Sequence, residues 1–258
     1  MTQDVKFTAI IPARYHSTRL PGKVLVDIAG KPMIQHVYER ALESGAEQVI
    51  IATDTPEVAS VARAFGAEVC MTDVKHINGT ERIAEVVQQY AMEEDAIVVN
   101  VQGDQPMLLP HLITQVAYDL AQHPSAHVST PCMPITDISD MFTPHVAKVV
   151  FDAQGYALYF SRAAIAWDQQ GFAALNPTDR YFTDAGQHFR HLGLYAYRAG
   201  FIKQYLNWPV CGLEQLESLE QLRILWHGGR IHVCQAKSVP QHEVNSPEDL
   251  QLVRQLMA

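Results

Sequence analysis

Short runs of apolar and β-branched residues at 7–11, 48–52, 68–71 and 97–101 predict buried strands, and the segments between them repeat apolar positions at helical spacing. Residues 32–44 put Ile34, Val37, Tyr38 and Ala41 on one face and stop at Gly45, a residue suited to the left-handed turn that closes a helix. The stretch 56–65 repeats the device, with Thr55 placed to cap, Pro56 in the first turn and Gly66 past the end. A third helix, 81–92, carries Ile83, Val86, Val87 and Tyr90 on one side. Strand and helix alternating in this way predict right-handed crossovers and a parallel sheet, whose ligands gather at the carboxyl ends of the strands. The second half is less regular. Strands are expected at 128–133, 147–151, 156–160, 192–197 and 230–234, a long polar loop at 168–187, and helices at 213–226 and 247–257. The chain carries no internal repeat, low-complexity tract or clear linker.

At 258 residues one substantial core is expected, since single α/β domains run beyond about 200 residues. The formal charge of -9 argues against a broad nucleic-acid face, so any basic cluster is local. Cysteines at 70, 132, 211 and 234 show neither a C-x-x-C pair nor metal-ligand spacing, which fits a reducing compartment. The first residues pass into a strand without the apolar run of a signal peptide or membrane span, so a cytoplasmic protein with no membrane partner is expected.

One basic cluster stands out in this acidic chain. The segment Ile11-Pro12-Ala13-Arg14-Tyr15-His16-Ser17-Thr18-Arg19-Leu20-Pro21-Gly22-Lys23 leaves the first strand and sets Arg14, Arg19 and Lys23 within ten residues. Pro12, Pro21 and Gly22 break any helix and shape a turn, so the three cations and the backbone N–H groups can converge on a polyanion such as a triphosphate. Guanidinium forks grip phosphate oxygens in pairs, and a lysine ammonium serves as a mobile charge on a leaving pyrophosphate. A solvated loop with incidental charges fits the same spacing. Asp104, after the fourth predicted strand, suits Mg²⁺, which takes oxygen ligands from one or two carboxylates and substrate phosphates; it also suits a plain turn in Gly103-Asp104-Gln105-Pro106. Asn78, Gly79 and Thr80 at a helix start, with Arg82 in the first turn, offer N–H groups and a side-chain donor to the acceptors of a flat ring that the glycine lets approach closely.

The basic segment, followed by Gly30-Lys31-Pro32-Met33-Ile34, resembles the signature loop of the sugar nucleotidyltransferases and, within them, of the CMP-Kdo synthetases, where Kdo is 3-deoxy-manno-octulosonate. The likeness continues through Ala52-Thr53-Asp54, Gly79-Thr80-Glu81-Arg82, Asn100-Val101-Gln102-Gly103-Asp104, Tyr159-Phe160-Ser161-Arg162, Arg190-His191-Leu192-Gly193 and Leu219-Glu220-Gln221-Leu222-Arg223, and so covers nearly the whole chain. It implies a Rossmann-like α/β nucleotidyltransferase fold: one domain, 1–258, with a mostly parallel sheet and a smaller mixed lobe at roughly 130–210 for sugar binding and homodimer pairing. The implied reaction is in-line attack by the anomeric hydroxyl of an eight-carbon 3-deoxy ulosonic acid on the α-phosphorus of CTP, assisted by Mg²⁺ and feeding lipopolysaccharide synthesis.

By the same resemblance Arg14, Arg19, Lys23 and Asp104 carry the chemistry, and Ala13, Arg14, Lys23, Thr53, Asp54, Asn78, Gly79, Thr80 and Arg82 hold the nucleotide. Gln102, Arg162, His191, Tyr195, Glu220 and Gln221 would hold the sugar. Taken singly, His191 also reads as a half-buried strand residue and Glu220 as a solvated helix face. Three positions depart from the family: Asn245 where a second metal-binding aspartate is usual, Gln105 in place of glutamate, and Asn78 in place of a small hydroxyl residue. Asn245 would ligate Mg²⁺ through its amide oxygen without adding charge, or merely precede the cap at Ser246. These departures keep two rivals open: the same transfer to an 8-amino-8-deoxy form of Kdo, and a non-catalytic nucleotide-binding homologue. A neuraminate-using relative fits the sugar-side residues less well.

Overall fold

The computed structural model describes residues 5–15, 20–76, 78–176, 178–182, 186–238 and 242–258. From the amino terminus come β1 (Thr8–Pro12), a hairpin of β2 (Asp27–Ile28) and β3 (Lys31–Pro32), α1 (Met33–Glu43), β4 (Gln48–Thr53), α2 (Pro56–Ala64) and β5 (Glu68–Met71). There follow α3 (Gly79–Gln89), β6 (Ile97–Asn100), α4 (Pro110–Gln122), β7 (Val128–Pro134), α5 (Ile138–Phe142), β8 (Lys148–Phe151) and β9 (Ala157–Ser161). The last third holds α6 (Gly171–Ala174), β10 (Phe189–His191), β11 (Tyr195–Arg198), α7 (Ala199–Tyr205), α8 (Gly212–Glu217), α9 (Gln221–Trp226), β12 (Ile231–Gln235) and α10 (Pro247–Leu256).

Ala9 and Ile11 face one side of β1 and Ile10 the other, and all three are fully buried, so the strand requires cover on both faces. Parallel neighbours β4 and β6 flank it, and β5 extends the parallel part beyond β4. The sheet then continues antiparallel through β11, β7, β10, β8 and β9, with β12 alongside β7 in parallel. One face packs on Ile34, Val37 and Ala41 of α1, on α2, and on Leu112, Ile113, Val116, Ala117 and Leu120 of α4. The other face packs on Ile83, Val86 and Val87 of α3, on α7 and on α9. A third cluster seats Val244 and the Leu250–Val253 side of α10 on Ile28 and Met33. The chain moves from β1 outward to β4 and β5, then returns across β1 to β6. The loops that leave β1 and β6 therefore diverge from a switch point, where a ligand crevice opens at the strands' carboxyl ends.

Several local expectations change. The helix expected at 213–226 is two helices, α8 and α9, broken where Ser218 adopts a left-handed φ of 51°. Of the strand expected at 192–197 only Tyr195 onward is formed, as β11; residues 192–194 make the turn that follows β10, with Gly193 at φ 64°. Thr55 sits at the start of α2, yet its hydroxyl donates to Asp54 Oδ1 (2.7 Å) and leaves the helix N–H groups without a side-chain cap. Helices α4, α5 and α7 lie in stretches to which the apolar pattern had assigned no helix, and the short α6 forms inside the loop expected at 168–187. Among the described residues no helix is long and apolar enough to cross a membrane.

Candidate active site

Two clefts meet at the carboxyl edge of β6. The first, about 720 Å³, is lined by Asn78, Gly79, Gln102, Asp104, Tyr195, Glu220 and Gln221 together with Gln105 and Glu214. The second, about 920 Å³, is lined by His145, Arg162, Arg190, His191, His242 and Asn245. Gly193 and Glu243 belong to both.

The loop after β6 approaches the loop after β1 so closely that a Cβ at Gly103 would lie 2.8 Å from the Pro12 carbonyl oxygen. A side chain at 103 is thus excluded by backbone, and this contact is what sets Asp104 beside the basic segment. Gly22 N donates to Tyr15 O (3.0 Å) and closes the basic loop, while Gly22 itself, at φ 67°, leads into a single 3-10 turn, Lys23–Leu25. That turn aims Lys23 inward. Its ammonium donates to Asp104 Oδ2 (2.8 Å) and to Asn245 Oδ1 (3.4 Å), so a positive charge is held between the two residues expected to ligate metal. Ala13 is fully buried, its N–H bound to Ala52 O (2.8 Å). Arg14 is half-buried and near enough for its charge to act on Glu220, whereas Arg19 lies outside the described residues.

At the start of α3, Asn78 accepts from Glu81 N (2.8 Å), which makes it the helix cap and brings Gly79 to the cleft wall. Thr80 is buried and donates to Glu220 Oε1 (2.8 Å), with Tyr197 OH at 3.3 Å on its other side. Burial raises the Glu220 pKa, and the Thr80 hydroxyl opposes the shift. Burial also holds the phenols of Tyr195 and Tyr197 protonated, far above their ordinary range. Gln105 and Gln221, both nearly inaccessible, keep Oε1 and Nε2 respectively without a protein partner. Orphaned amide atoms in a polar cleft are costly unless a ligand uses them.

Thr53, Asp54 and Arg82 lie close together and line neither of the two clefts. Arg82 is fully buried and donates to Asp54 Oδ2 (2.6 Å) and to Thr72 Oγ1. Burial alone would raise the Asp54 carboxyl, but the Thr55 hydroxyl and the Arg82 guanidinium outweigh it and hold it below the usual range. Arg82 therefore supports the α3 start from behind.

In the second cleft, His191 Nε2 lies 2.7 Å from Thr130 Oγ1, whose own proton goes to Leu194 O (2.6 Å). The imidazole must then donate through Nε2 and keep Nδ1 as an acceptor. Burial pushes its pKa down to about 3, so the ring is neutral near pH 7. Arg162 spends its guanidinium on backbone carbonyls, with Nε to Glu217 O (2.6 Å) and one terminal nitrogen to Pro144 O (2.8 Å). The adjacent buried Lys148 likewise serves carbonyls of Thr143, Val146 and Arg162.

The cytidylyltransferase family model matches residues 8–231, which includes every residue named in the first cleft except Glu243. The chain belongs to the cytidylyltransferase family. It is 56% identical to the 3-deoxy-manno-octulosonate cytidylyltransferase of Yersinia enterocolitica, across 98% of this chain and 99% of that protein. The enzyme of the same name from Idiomarina loihiensis is 54% identical, over 98% of each chain. A solved structure of CMP:2-keto-3-deoxy-manno-octonic acid synthetase complexed with CTP superposes with a TM-score of 0.86 at 40% identity, covering 98% of each chain.

Glu243 was not anticipated from the sequence. Exposed on the side of the clefts, it accepts from Gln105 Nε2 (2.7 Å) and from Asn245 Nδ2 (3.3 Å). The protein packed around the carboxyl, and then the charge of Asp104, raise its pKa. A signal existed in the alternation of 242–246: Val244 is fully buried, so Glu243 and Asn245 share the opposite, polar face.

Proposed function

We propose that the chain transfers CMP from CTP to the anomeric hydroxyl of 3-deoxy-manno-octulosonate, releasing pyrophosphate. The observation that carries this reading is the first cleft, which joins Asn78 and Gly79 on the nucleotide side to Gln102, Tyr195, Glu220 and Gln221 on the sugar side around Asp104. Hydroxyl-rich sugars need such uncharged donors and acceptors, and Gln221 Nε2 and Gln105 Oε1 offer atoms with unmet bonding capacity. Arg14, Lys23 and Arg19 supply cations for the triphosphate, and transfer of this kind depends on holding reactants in line and neutralising charge rather than on a protein nucleophile. The uncharged His191, with an acceptor nitrogen, suits a sugar hydroxyl.

A divalent cation fits the donors present, since Asp104 and Asn245 already share a positive charge through Lys23. Asp104 and Asn245 would hold Mg²⁺ through a carboxylate and an amide oxygen; when bound, the ion neutralises phosphate charge and acidifies a hydroxyl. The activated sugar would serve lipopolysaccharide synthesis in the cytoplasm. Leu158 on the edge strand β9, with Trp167 and Tyr181, exposes apolar surface that a second copy would cover in a homodimer. The decisive test is pyrophosphate release from CTP and Kdo with Mg²⁺, compared for the wild type and Asp104→Ala. Turnover should disappear in the variant with its melting temperature retained, and undiminished turnover at saturating Mg²⁺ would end the reading.

A further inference from the structure

The segment 243–245 is docked on the Asp104 turn from two directions. Val244 N donates to Asp104 O (2.9 Å), Val244 is buried against Ile28 and Met33, and Asn245 N donates to Asp249 Oδ2 (2.9 Å) in the first turn of α10. Its backbone is therefore fixed, and what remains to be set is the direction of the Asn245 amide. An amide presents an oxygen or an NH₂ group with nearly the same shape, and a cation accepts one of them only. Glu243 Oε2 takes Nδ2, which leaves Oδ1 toward the Lys23 ammonium and so toward Asp104. Glu243 Oε1 meanwhile takes the NH₂ group of Gln105, the residue next to Asp104.

We infer that Glu243 is the positioning residue of the cation site: it turns the amide oxygen of Asn245 inward, orients Gln105, and adds beside Asp104 the second negative charge that neither amide brings. The inference deepens the proposed function and rests on its cation site. Two oxygen ligands bearing a single charge hold a hard divalent ion weakly, and a carboxylate in hydrogen-bond contact with a ligand raises that affinity without touching the metal. Loss of such a partner costs on the order of 10–100-fold in metal affinity.

The test is a Tb³⁺ luminescence titration of the ligand-free protein, with the bound ion displaced by Mg²⁺, alongside the Mg²⁺ activation constant and the KM for CTP at saturating Mg²⁺. Glu243→Gln should weaken Tb³⁺ and Mg²⁺ at least tenfold and raise the Mg²⁺ activation constant, with the KM for CTP unchanged. Glu243→Gln combined with Asn245→Asp returns the charge to the ligand itself and should restore affinity to within about threefold of the wild type. Unchanged Tb³⁺ affinity in Glu243→Gln, or no recovery in the double variant, overturns the role of Glu243 while the cation site stands, provided Asp104→Ala abolishes binding. If the wild type fails to bind Tb³⁺, or Asp104→Ala binds as the wild type does, the cation site itself is wrong and this inference falls with it.

Discussion

Replacing Glu214 with alanine should loosen the wall of the first cleft, of which it is part. Arg223 donates from Nε and from a terminal nitrogen to the two oxygens of Glu214, both at 2.6 Å, and its guanidinium lies 4.6 Å from the Tyr205 ring centroid. The two side chains are 3% and 11% exposed, so the pair is desolvated. It ties α8 to α9 across the break at Ser218, and this break delivers Glu220 and Gln221 to the cleft. Removing one partner leaves an uncompensated buried charge, a loss of about 3–5 kcal/mol. At about 2–4 °C per kcal/mol for a chain of this size, melting should fall by roughly 6–20 °C. Urea denaturation followed by circular dichroism measures the first figure and a thermal scan the second. The companion variant Glu214→Met with Arg223→Met fills the same space without charge and should regain most of the loss, since apolar replacement of a buried pair is near neutral. The reasoning is refuted if Glu214→Ala costs less than about 1 kcal/mol or if the double variant is no better than the single.

The remaining predictions concern the loops and the titrating groups. Gly103→Ala drives a Cβ into the Pro12 carbonyl and forces the two loops apart, so kcat should fall on the order of 100-fold and stability by about 1–3 kcal/mol; wild-type turnover would show that the two loops need not approach. His191 has a depressed folded pKa, so its contribution to stability is present above the unfolded value of about 6.5 and is lost as pH falls from there toward about 3. Denaturation midpoints at pH 7 and pH 5 should therefore converge in His191→Gln relative to the wild type, and equal pH slopes in both proteins would remove burial as the cause. Thr80→Val deletes the donor that opposes the upward shift of Glu220, so the acid limb of the rate profile should move to higher pH; an unmoved limb would mean that Glu220 does not titrate in turnover.

The parallel half of the fold was legible because it is built from local, repeated signals. β1, β4 and β6 are runs buried on both faces, β5 is a short edge run that buries Cys70, and α1 and α2 end at Gly45 and Gly66, both with left-handed φ. The antiparallel half was harder. Its pairings join segments far apart in sequence, such as β6 with β11, and its turns depend on Gly193 and on Ser218, a residue type that does not announce a left-handed φ. Helix α4 was missed despite Pro110 in its first turn and a full apolar stripe. Motif residues were legible as a set, but their assignment to contacts was not. Arg82 reads as a ligand donor, and in the fold two of its nitrogens bind Asp54 and Thr72 while Nε has no protein partner; Arg162 reads as a carboxylate clamp, and in the fold it binds the carbonyls of Glu217 and Pro144. In both cases the rest of the protein competes for the guanidinium, and spacing along the chain carries no information about that competition.

Contacts in space also decide what the acidic positions around Asp104 amount to. Read along the chain, Gln105 and Asn245 each look like the loss of a charge, which favours a weakened or silent site. In space their amides converge on one carboxylate, Glu243, through its two oxygens. The site therefore keeps two carboxylates, with one displaced by two residues along a strand-like segment and so returned to the same face. A non-catalytic homologue would have no need to hold two amides in register with a second acid, nor to keep Lys23 between Asp104 and Asn245. Charge balance at a site is a property of the facing surfaces rather than of any one position, and on that measure the departures at 105 and 245 are a coupled pair.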